Sequence, residues 1–186
     1  MIRNMLSRNL KGCSQTVELL ADIDLASLKA AGINGIILDL DNTIISEDDR
    51  WISPDARLWI EQARQQNFRL FVLSNGKRAE RVKYWSKTLN IRAISPARKP
   101  IPSSFHKAFK KMSLKPGQVV VIGDSFHTDV LGAWLARCYA IQVASLPHPA
   151  RIWEKYIGKI VHIPYPRHRP LLPLKSQPLQ VYRSSA

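Results

Sequence analysis

The sequence predicts an α/β fold in which helices cover both faces of a parallel β-sheet. Short apolar runs that fit buried strands alternate along the chain with segments of helical periodicity, as they do in strand–helix–strand units. The predicted strand 36–40 is apolar except for Asp39, and its run Ile36–Leu38 fits a strand buried on both faces. A chain of 186 residues, 45% of them hydrophobic, is long enough to bury one core of this kind.

The predicted elements follow one another in regular order. Asp24–Ala31 fits a short helix that ends at Gly32, and Ser53 with Pro54 marks the start of a second helix capped by Ser53. Ser103 is expected to cap a later helix. The predicted helices are 24–31, 53–66, 77–89, 103–112 and 127–137, and the predicted strands are 36–40, 69–73, 91–95, 119–122 and 140–144.

Composition divides the chain into three parts. Residues 1–32 are expected to form an amphipathic N-terminal extension, residues 33–146 the α/β domain, and residues 147–186 a basic, Pro-rich C-terminal extension. Seven of the twelve prolines lie after residue 146, so the chain from Ile163 onward is expected to be extended or disordered.

The charge of the chain is strongly basic. It has 28 Lys and Arg against 14 Asp and Glu, a net charge of +14, which predicts an anionic partner: nucleic acid, an acidic membrane face or a phosphorylated substrate. Residues 77–115 hold twelve of the basic residues and one acid, and this block is expected to surround the site described next. No apolar run is long enough to span a membrane, and two cysteines favour a reducing compartment.

Polar residues directly follow several predicted strands. Asp39 and Asp41 come after Ile36–Leu38, Ser74 follows the strand 69–73, and Asp124 follows the strand 119–122. Because the carboxyl ends of parallel strands meet at one edge of a sheet, these residues are expected to converge there. Two carboxylates two residues apart are what a metal-dependent phosphoryl-transfer site needs, one to attack phosphorus and one to move a proton.

Four segments together resemble the haloacid dehalogenase (HAD) superfamily of phosphatases, whose core is a three-layer, Rossmann-like fold. The entry Gly32–Thr43 is most similar to the YqeG-like subclass IIIA branch, which includes phosphatidylglycerophosphate phosphatases. The segments are Asp39-Leu40-Asp41-Asn42-Thr43, Leu73-Ser74-Asn75, Lys99-Pro100, and Gly123-Asp124-Ser125 ending in Thr128-Asp129.

The resemblance implies a role for each matching residue. Asp39 would be the nucleophile that forms an aspartyl-phosphate, and Asp41 would protonate the leaving oxygen and then activate water. Mg²⁺ would be held by Asp39, Asp124 and the Asp41 carbonyl. Asp129 would support this metal site, although a carboxylate at a helix start is an open alternative.

Phosphate contacts are implied for a second group of residues. Ser74 and Asn75 would bind a phosphate oxygen, and Lys99 would neutralise the transferring phosphoryl group. Arg98 is an alternative to Lys99 because it is adjacent. Thr43 would brace the first loop.

The spacing of the segments leaves no room for a cap domain. About nine residues lie between Thr43 and Ser53, and one helix and one strand fill the stretch from Ser74 to Lys99. An open site suits a phosphate on a large molecule, since a small metabolite would normally need a lid. Together with this open site and the basic charge, the resemblance implies a phosphatidylglycerophosphate phosphatase, expected to be cytoplasmic and peripheral on the inner membrane face or the equivalent organelle face.

Three other functions stay open at this point. A phosphatase acting on nucleic-acid ends fits the charge equally well, but the sequence shows no recognised nucleic-acid module. A phosphatase of small soluble metabolites and a non-catalytic scaffold with the same fold are the remaining alternatives.

Overall fold

The computed structural model describes residues 14–149, 158 and 160–174, and it confirms the predicted α/β fold. The strands are β1 (Ser14–Val17), β2 (Gly35–Leu38), β3 (Trp51–Ile52), β4 (Arg69–Leu73), β5 (Arg92–Ile94), β6 (Val119–Gly123), β7 (Tyr139–Ser145), β8 (Ile163–Pro164) and β9 (Leu172–Pro173). The helices are α1 (Leu25–Ala30), α2 (Ala56–Gln65), α3 (Ala79–Thr88), α4 (Ser103–Met112) and α5 (Leu131–Leu135). None of these helices, in the part of the chain that is described, is long and apolar enough to cross a membrane.

One parallel sheet organises the molecule, in the order β1-β7-β6-β2-β4-β5, and β8 pairs with the end of β7. Its two faces support separate apolar cores because successive side chains of a strand point to opposite sides. Ile36 and Ile122 pack with helices α1, α2 and α3, whereas Ile37 and Phe71 pack with α4 and α5. The result is the three-layer arrangement that the alternation of elements predicts.

Residues 14–32 contribute directly to this body. Strand β1 pairs in parallel with β7, and Asp24 caps α1 by accepting hydrogen bonds from the backbone N–H groups of Ala26 and Ser27, both at 3.1 Å. Leu25 and Leu28 of that helix are buried in the core. The amphipathic pattern over residues 1–10 lies outside the described residues, and the three-part division of the chain stays a prediction.

Helix starts differ from the sequence expectation in three places. Ser53 is not an N-cap: its carbonyl accepts from the Ala56 N–H in a turn, and α2 begins at Ala56 after Asp55 in a left-handed conformation. Ser103 is the first residue of α4 rather than its cap. The predicted helix 127–137 begins with a π-helical turn, Phe126–Val130, before α5, and such wide turns are frequent at functional sites.

The described part of the C-terminal segment packs back on the domain. Its two short strands are extended, as expected for this Pro-rich stretch, and β9 pairs antiparallel with β3. Arg169 forms ion pairs with Glu18 at 3.1 Å and Asp22 at 3.0 Å, which join the segment to the start of the chain.

Replacing Phe71 by alanine is expected to lower the free energy of unfolding by about 3–5 kcal/mol, because the ring is fully buried between β4 and the α4 side of the core. Urea denaturation measures the difference. Leu58→Ala on α2 is the control, since Leu58 is 58% exposed and its loss should change stability by less than about 0.5 kcal/mol. Equal effects of the two substitutions would contradict this description of the core.

Candidate active site

The polar residues that follow the strands converge as predicted at the carboxyl edge of the sheet. Asp39 follows β2, Ser74 follows β4 and Asp124 follows β6, and all three are buried. A cleft of about 490 Å³ opens above them. Its lining includes Asp39, Asp41, Asn42, Asn75, Lys77, Arg78, Arg81, Lys99, Asp124, Ser125, His127, Thr128 and His162.

Lys99 lies at the centre of the site. Its ammonium nitrogen Nζ donates to Asp39 Oδ1 at 2.5 Å and to Asp129 Oδ1 at 2.6 Å, with only 2% of the side chain exposed. Burial disfavours the charged form, but the two carboxylates outweigh it and hold the pKa of Lys99 above its ordinary value. Arg98, the alternative to Lys99, is exposed, so the structure places Lys99 at the site.

The carboxyl group of Asp39 is crowded by other charges. Burial raises its pKa well above the ordinary carboxyl range, Lys99 opposes this, and the neighbouring carboxylates of Asp129 and Asp124 raise it further. The hydroxyl of Thr43 donates to Asp39 Oδ2 at 3.4 Å, a contact that fits the bracing role implied for Thr43.

The residues fit a divalent cation. Carboxylate oxygens of Asp39, Asp124 and Asp129 lie within 4.8 Å of one another, and all three residues are buried. Lys99 compensates only part of this negative charge, and a dication with a preference for oxygen ligands would compensate the rest. Asp129, predicted as a supporting residue, belongs to this group. The predicted contact of the Asp41 backbone carbonyl with the metal stays a prediction.

The π-helical turn aims Asp129 at this group. Its Oδ2 accepts from the Ser125 N–H at 3.3 Å and from the Thr128 hydroxyl at 3.1 Å. A Cβ atom at Gly123 would lie 2.3 Å from Asp129 Cγ. Glycine is therefore needed at the end of β6 for the Asp129 carboxylate to lie beside Lys99.

Asp124 is held from the β7 side. Its Oδ2 accepts from the Ser145 hydroxyl at 2.7 Å and lies 3.1 Å from His162 Nδ1. The buried Gln142 amide donates to the Asp124 carbonyl at 3.0 Å and to the Val161 carbonyl at 2.9 Å. Sequence reasoning missed His162, because it lies in the Pro-rich segment and no motif marks it.

The side chain of Asp41 points to the side of the cleft opposite Asp124. Its Oδ2 accepts from the Ser74 hydroxyl at 2.9 Å, and its Oδ1 accepts from the guanidinium of Arg81. The loop turns at Asn42, which adopts a left-handed conformation with φ of 60° and accepts from the Glu47 N–H at 2.8 Å. Arg81 belongs to the basic block 77–115, which was expected to surround the site, but the sequence indicated no contact between Arg81 and Asp41.

Asn75 fixes the backbone of Lys99. Its amide Nδ2 donates to the Lys99 carbonyl at 2.9 Å, and its Oδ1 accepts from the Lys99 N–H at 2.8 Å. This reciprocal pair joins the loop after β4 to the loop after β5 and sets the direction of the lysine. Phosphate binding by Ser74 and Asn75 stays a prediction.

The basic block 77–115 surrounds the cleft only in part, which corrects the expectation. Lys77, Arg78 and Arg81 line the cleft. Helix α4 runs back along the sheet, so its last turn lies at the opposite edge, where Arg92 at the start of β5 donates to the Lys111 carbonyl at 3.0 Å. The exposed Lys110 and Lys111 therefore face away from the site.

The sequence is similar to a known protein family and to a curated bacterial protein. A family model described as haloacid dehalogenase-like hydrolase matches residues 23–136. "Probable phosphatase YqeG" of Bacillus subtilis (strain 168) is 40% identical over 105 residues, which are 56% of this chain and 60% of that protein. The chain thus spans about 60% of the length of this curated relative.

Solved structures share the fold at low sequence identity. An uncharacterized protein from Listeria monocytogenes serotype 4b superposes with a TM-score of 0.51 and 18% identity, covering 64% of this chain and 85% of the other. A predicted phosphoglycolate phosphatase from Haemophilus somnus 129pt gives a TM-score of 0.50 and 16% identity, with 60% and 85% covered.

Replacing Lys99 by methionine is expected to lower the free energy of unfolding by about 3–5 kcal/mol in the absence of divalent cations. Asp39 and Asp129 would then stay buried without their shared ammonium. Urea denaturation measures the change, with Lys111→Met as the control because Lys111 is exposed. Asp129→Asn added to Lys99→Met should recover part of the loss. A Lys99→Met protein as stable as the control would show that the lysine does not compensate these carboxylates.

Proposed function

Since this chain belongs to the haloacid dehalogenase-like hydrolase family, we propose that it is a phosphatase that works through an aspartyl-phosphate on Asp39. The observation that carries the proposal is the position of Asp39: it directly follows the central strand β2, lines the cleft and is paired with the buried Lys99. The 40% identity to a probable phosphatase supports the same reaction class.

The proposed reaction has two steps. A carboxylate oxygen of Asp39 attacks phosphorus, the bond from phosphorus to the leaving oxygen breaks, and that oxygen takes a proton from the Asp41 carboxyl. Water then attacks phosphorus and gives a proton to the Asp41 carboxylate, while the bond from phosphorus to Asp39 breaks and phosphate leaves. Asp39 and Asp41 are two residues apart at one strand end, and both line the cleft, as the two roles require.

The other charged residues act on the phosphoryl group. Lys99 supplies a fixed positive charge beside the attacking oxygen and offsets the negative charge of the phosphate. Mg²⁺, which Asp39, Asp124 and Asp129 would hold, would shield the attacking carboxylate from phosphate charge when bound. The proposed cofactor is Mg²⁺, a cation that prefers oxygen ligands and is held by carboxylates together with the oxygens of a bound phosphate.

The shape of the cleft favours a large substrate. Between Thr43 and Ser53 the chain forms turns and the short strand β3, and α3 with β5 fills the stretch before Lys99. These two stretches contain no cap domain. We infer that the substrate presents its phosphate from a larger body, and that phosphatidylglycerophosphate, hydrolysed to phosphatidylglycerol, is the best candidate.

Docking at an anionic membrane surface would bring this substrate to the cleft. Lys77 and Arg78 are exposed at the mouth of the cleft, where Arg78 is 59% exposed. Each basic residue near an anionic surface contributes about 1 kcal/mol of attraction. We therefore propose peripheral association of the cleft edge with the membrane.

Asp39→Asn is expected to reduce phosphate release from phosphatidylglycerophosphate at least about 10³-fold, because the amide is no nucleophile. The assay uses mixed micelles with Mg²⁺, and circular dichroism checks that the variant is folded. Undiminished activity of the variant would exclude Asp39 as the nucleophile. Wild-type activity on an aryl phosphate without release from the lipid would reject the lipid substrate, and the 3′ and 5′ phosphates of nucleic acids would be tested next.

Lys77→Ala with Arg78→Ala is expected to reduce activity on anionic vesicles roughly tenfold or more, and to reduce activity on a soluble phosphate ester much less. The matched control is Lys110→Ala with Lys111→Ala, which removes two charges at the opposite edge of the sheet. This control should keep wild-type activity on vesicles. Equal losses on vesicles and soluble ester in the first variant would contradict docking through the cleft edge.

A further inference from the structure

Arg81 occupies an unexpected position for a residue of a basic surface helix. It lies in the first turn of α3, yet only 8% of its side chain is exposed. Its guanidinium donates to Asp41 Oδ1, to Asp49 Oδ1 at 2.8 Å and to the Ser46 carbonyl at 2.9 Å. The three contacts leave in different directions, which a planar guanidinium satisfies and a single ammonium does not.

The contact with Asp41 completes a clamp around that carboxyl group. Arg81 holds Oδ1 and the Ser74 hydroxyl holds Oδ2 at 2.9 Å. Ser74 is itself fixed, because its Oγ accepts from the Gly76 N–H at 2.9 Å. Both oxygens of Asp41 are therefore held by groups that come from the loop after β4 and from α3.

Arg81 is in turn anchored on its far side. Asp49 accepts from Arg81 and, at 3.1 Å, from the indole N–H of Trp85, which is buried one helical turn further along α3. Arg78 lies 3.9 Å from the same aspartate. Helix α3 is thus fastened to the loop that carries Asp41 and Asp49.

We propose that Arg81 is a positioning residue that holds the Asp41 carboxyl in place for proton transfer to the leaving oxygen. The inference rests on the proposed function, in which Asp41 is the acid. A group that moves a proton must be held within about half an ångström of its working position, and the clamp by Arg81 and Ser74 provides that restraint.

If Arg81 positions Asp41, its loss should change the rate in a way that depends on the leaving group, which a general loss of structure would not do. An alkoxide is a poor leaving group and depends on the proton from Asp41, whereas a nitrophenolate leaves with little help. Positioned acid catalysis contributes about 10²–10⁴-fold where the proton is needed. Damage to the position of Asp41 must therefore slow alkyl phosphates more than activated aryl phosphates.

The experiment compares Arg81→Gln, Arg81→Lys and Asp41→Asn in the full chain, with glycerol 3-phosphate and p-nitrophenyl phosphate as substrates. Lys83→Met is the control, because Lys83 lies on the same helix and its side chain is 79% exposed. We expect Arg81→Gln to lower kcat on glycerol 3-phosphate about 10²-fold and on p-nitrophenyl phosphate only several-fold. Arg81→Lys should recover part of the loss, and Lys83→Met should match the wild type.

The double variant Asp41→Asn with Arg81→Gln gives a second readout. If Arg81 acts through Asp41, adding Arg81→Gln to Asp41→Asn should cause little further loss. Equal losses of Arg81→Gln on the two esters, or fully additive losses in the double variant, would overturn the proposal. Should Arg81→Gln fail to fold, the leaving-group dependence of Arg81→Lys decides in the same way.

The outcomes also separate this proposal from the proposed function. Absence of Asp39-dependent phosphate release by the wild-type protein from phosphatidylglycerophosphate and from both soluble esters would reject the phosphatase itself. If the lipid alone is hydrolysed, the loss caused by Arg81→Gln with and without Asp41→Asn on that lipid decides the role of Arg81. Wild-type release combined with losses that do not depend on the leaving group would reject only the role of Arg81.

Discussion

The buried contact of Lys99 with Asp39 and Asp129 is the interaction on which the arrangement of the site depends. Carboxylates that lose water must be compensated, and one ammonium between two of them does this at 2.5 and 2.6 Å. Lys99 reaches that point because the Asn75 side chain forms hydrogen bonds with both the N–H and the carbonyl of its backbone. Asp129 reaches it because residue 123 is a glycine. The geometry of one ion pair thus explains why residue 123 is a glycine and why the Asn75 side chain binds the backbone of Lys99.

The direction of the helices places the basic residues before α3 and those at the end of α4 at opposite edges of the sheet. Helices that follow parallel strands return along the sheet, so the start of each helix lies near the carboxyl edge and its end lies near the amino edge. Lys77 and Arg78 precede α3 and line the cleft, whereas Lys110 and Lys111 end α4 at the opposite edge. In the described part of the chain, residues 77–78 and residues 110–111 are therefore two basic regions with different surroundings. Of these two regions, the one formed by Lys77 and Arg78 is placed to contact a substrate at the site.

Sequence patterns predicted the sheet and the residues at the strand ends, because both depend on local features. Asp39, Ser74 and Asp124 each come at the end of an apolar run, and this local pattern is enough to identify them as residues at the ends of strands. The contacts of Arg81 with Asp41 and of His162 with Asp124 join distant parts of the chain, and no local pattern specifies them. A weak signal for Arg81 did exist: it lies four residues before the buried Trp85, on one face of α3.

The two sides of the cleft have different origins in the chain. Asp39, Asp41, Lys99 and Asp129 fall within residues 23–136, the part matched by the family model. Gln142, Ser145 and His162, which surround Asp124, come from β7 and the C-terminal segment beyond that part. Because Gln142 also donates to the Val161 carbonyl, the loop that carries Asp124 and the C-terminal segment are held together. In the described part of this chain, the C-terminal segment therefore forms the wall of the cleft beside Asp124. The stretches 44–52 and 75–98, which lie at the same edge of the sheet, form no cap domain over the cleft.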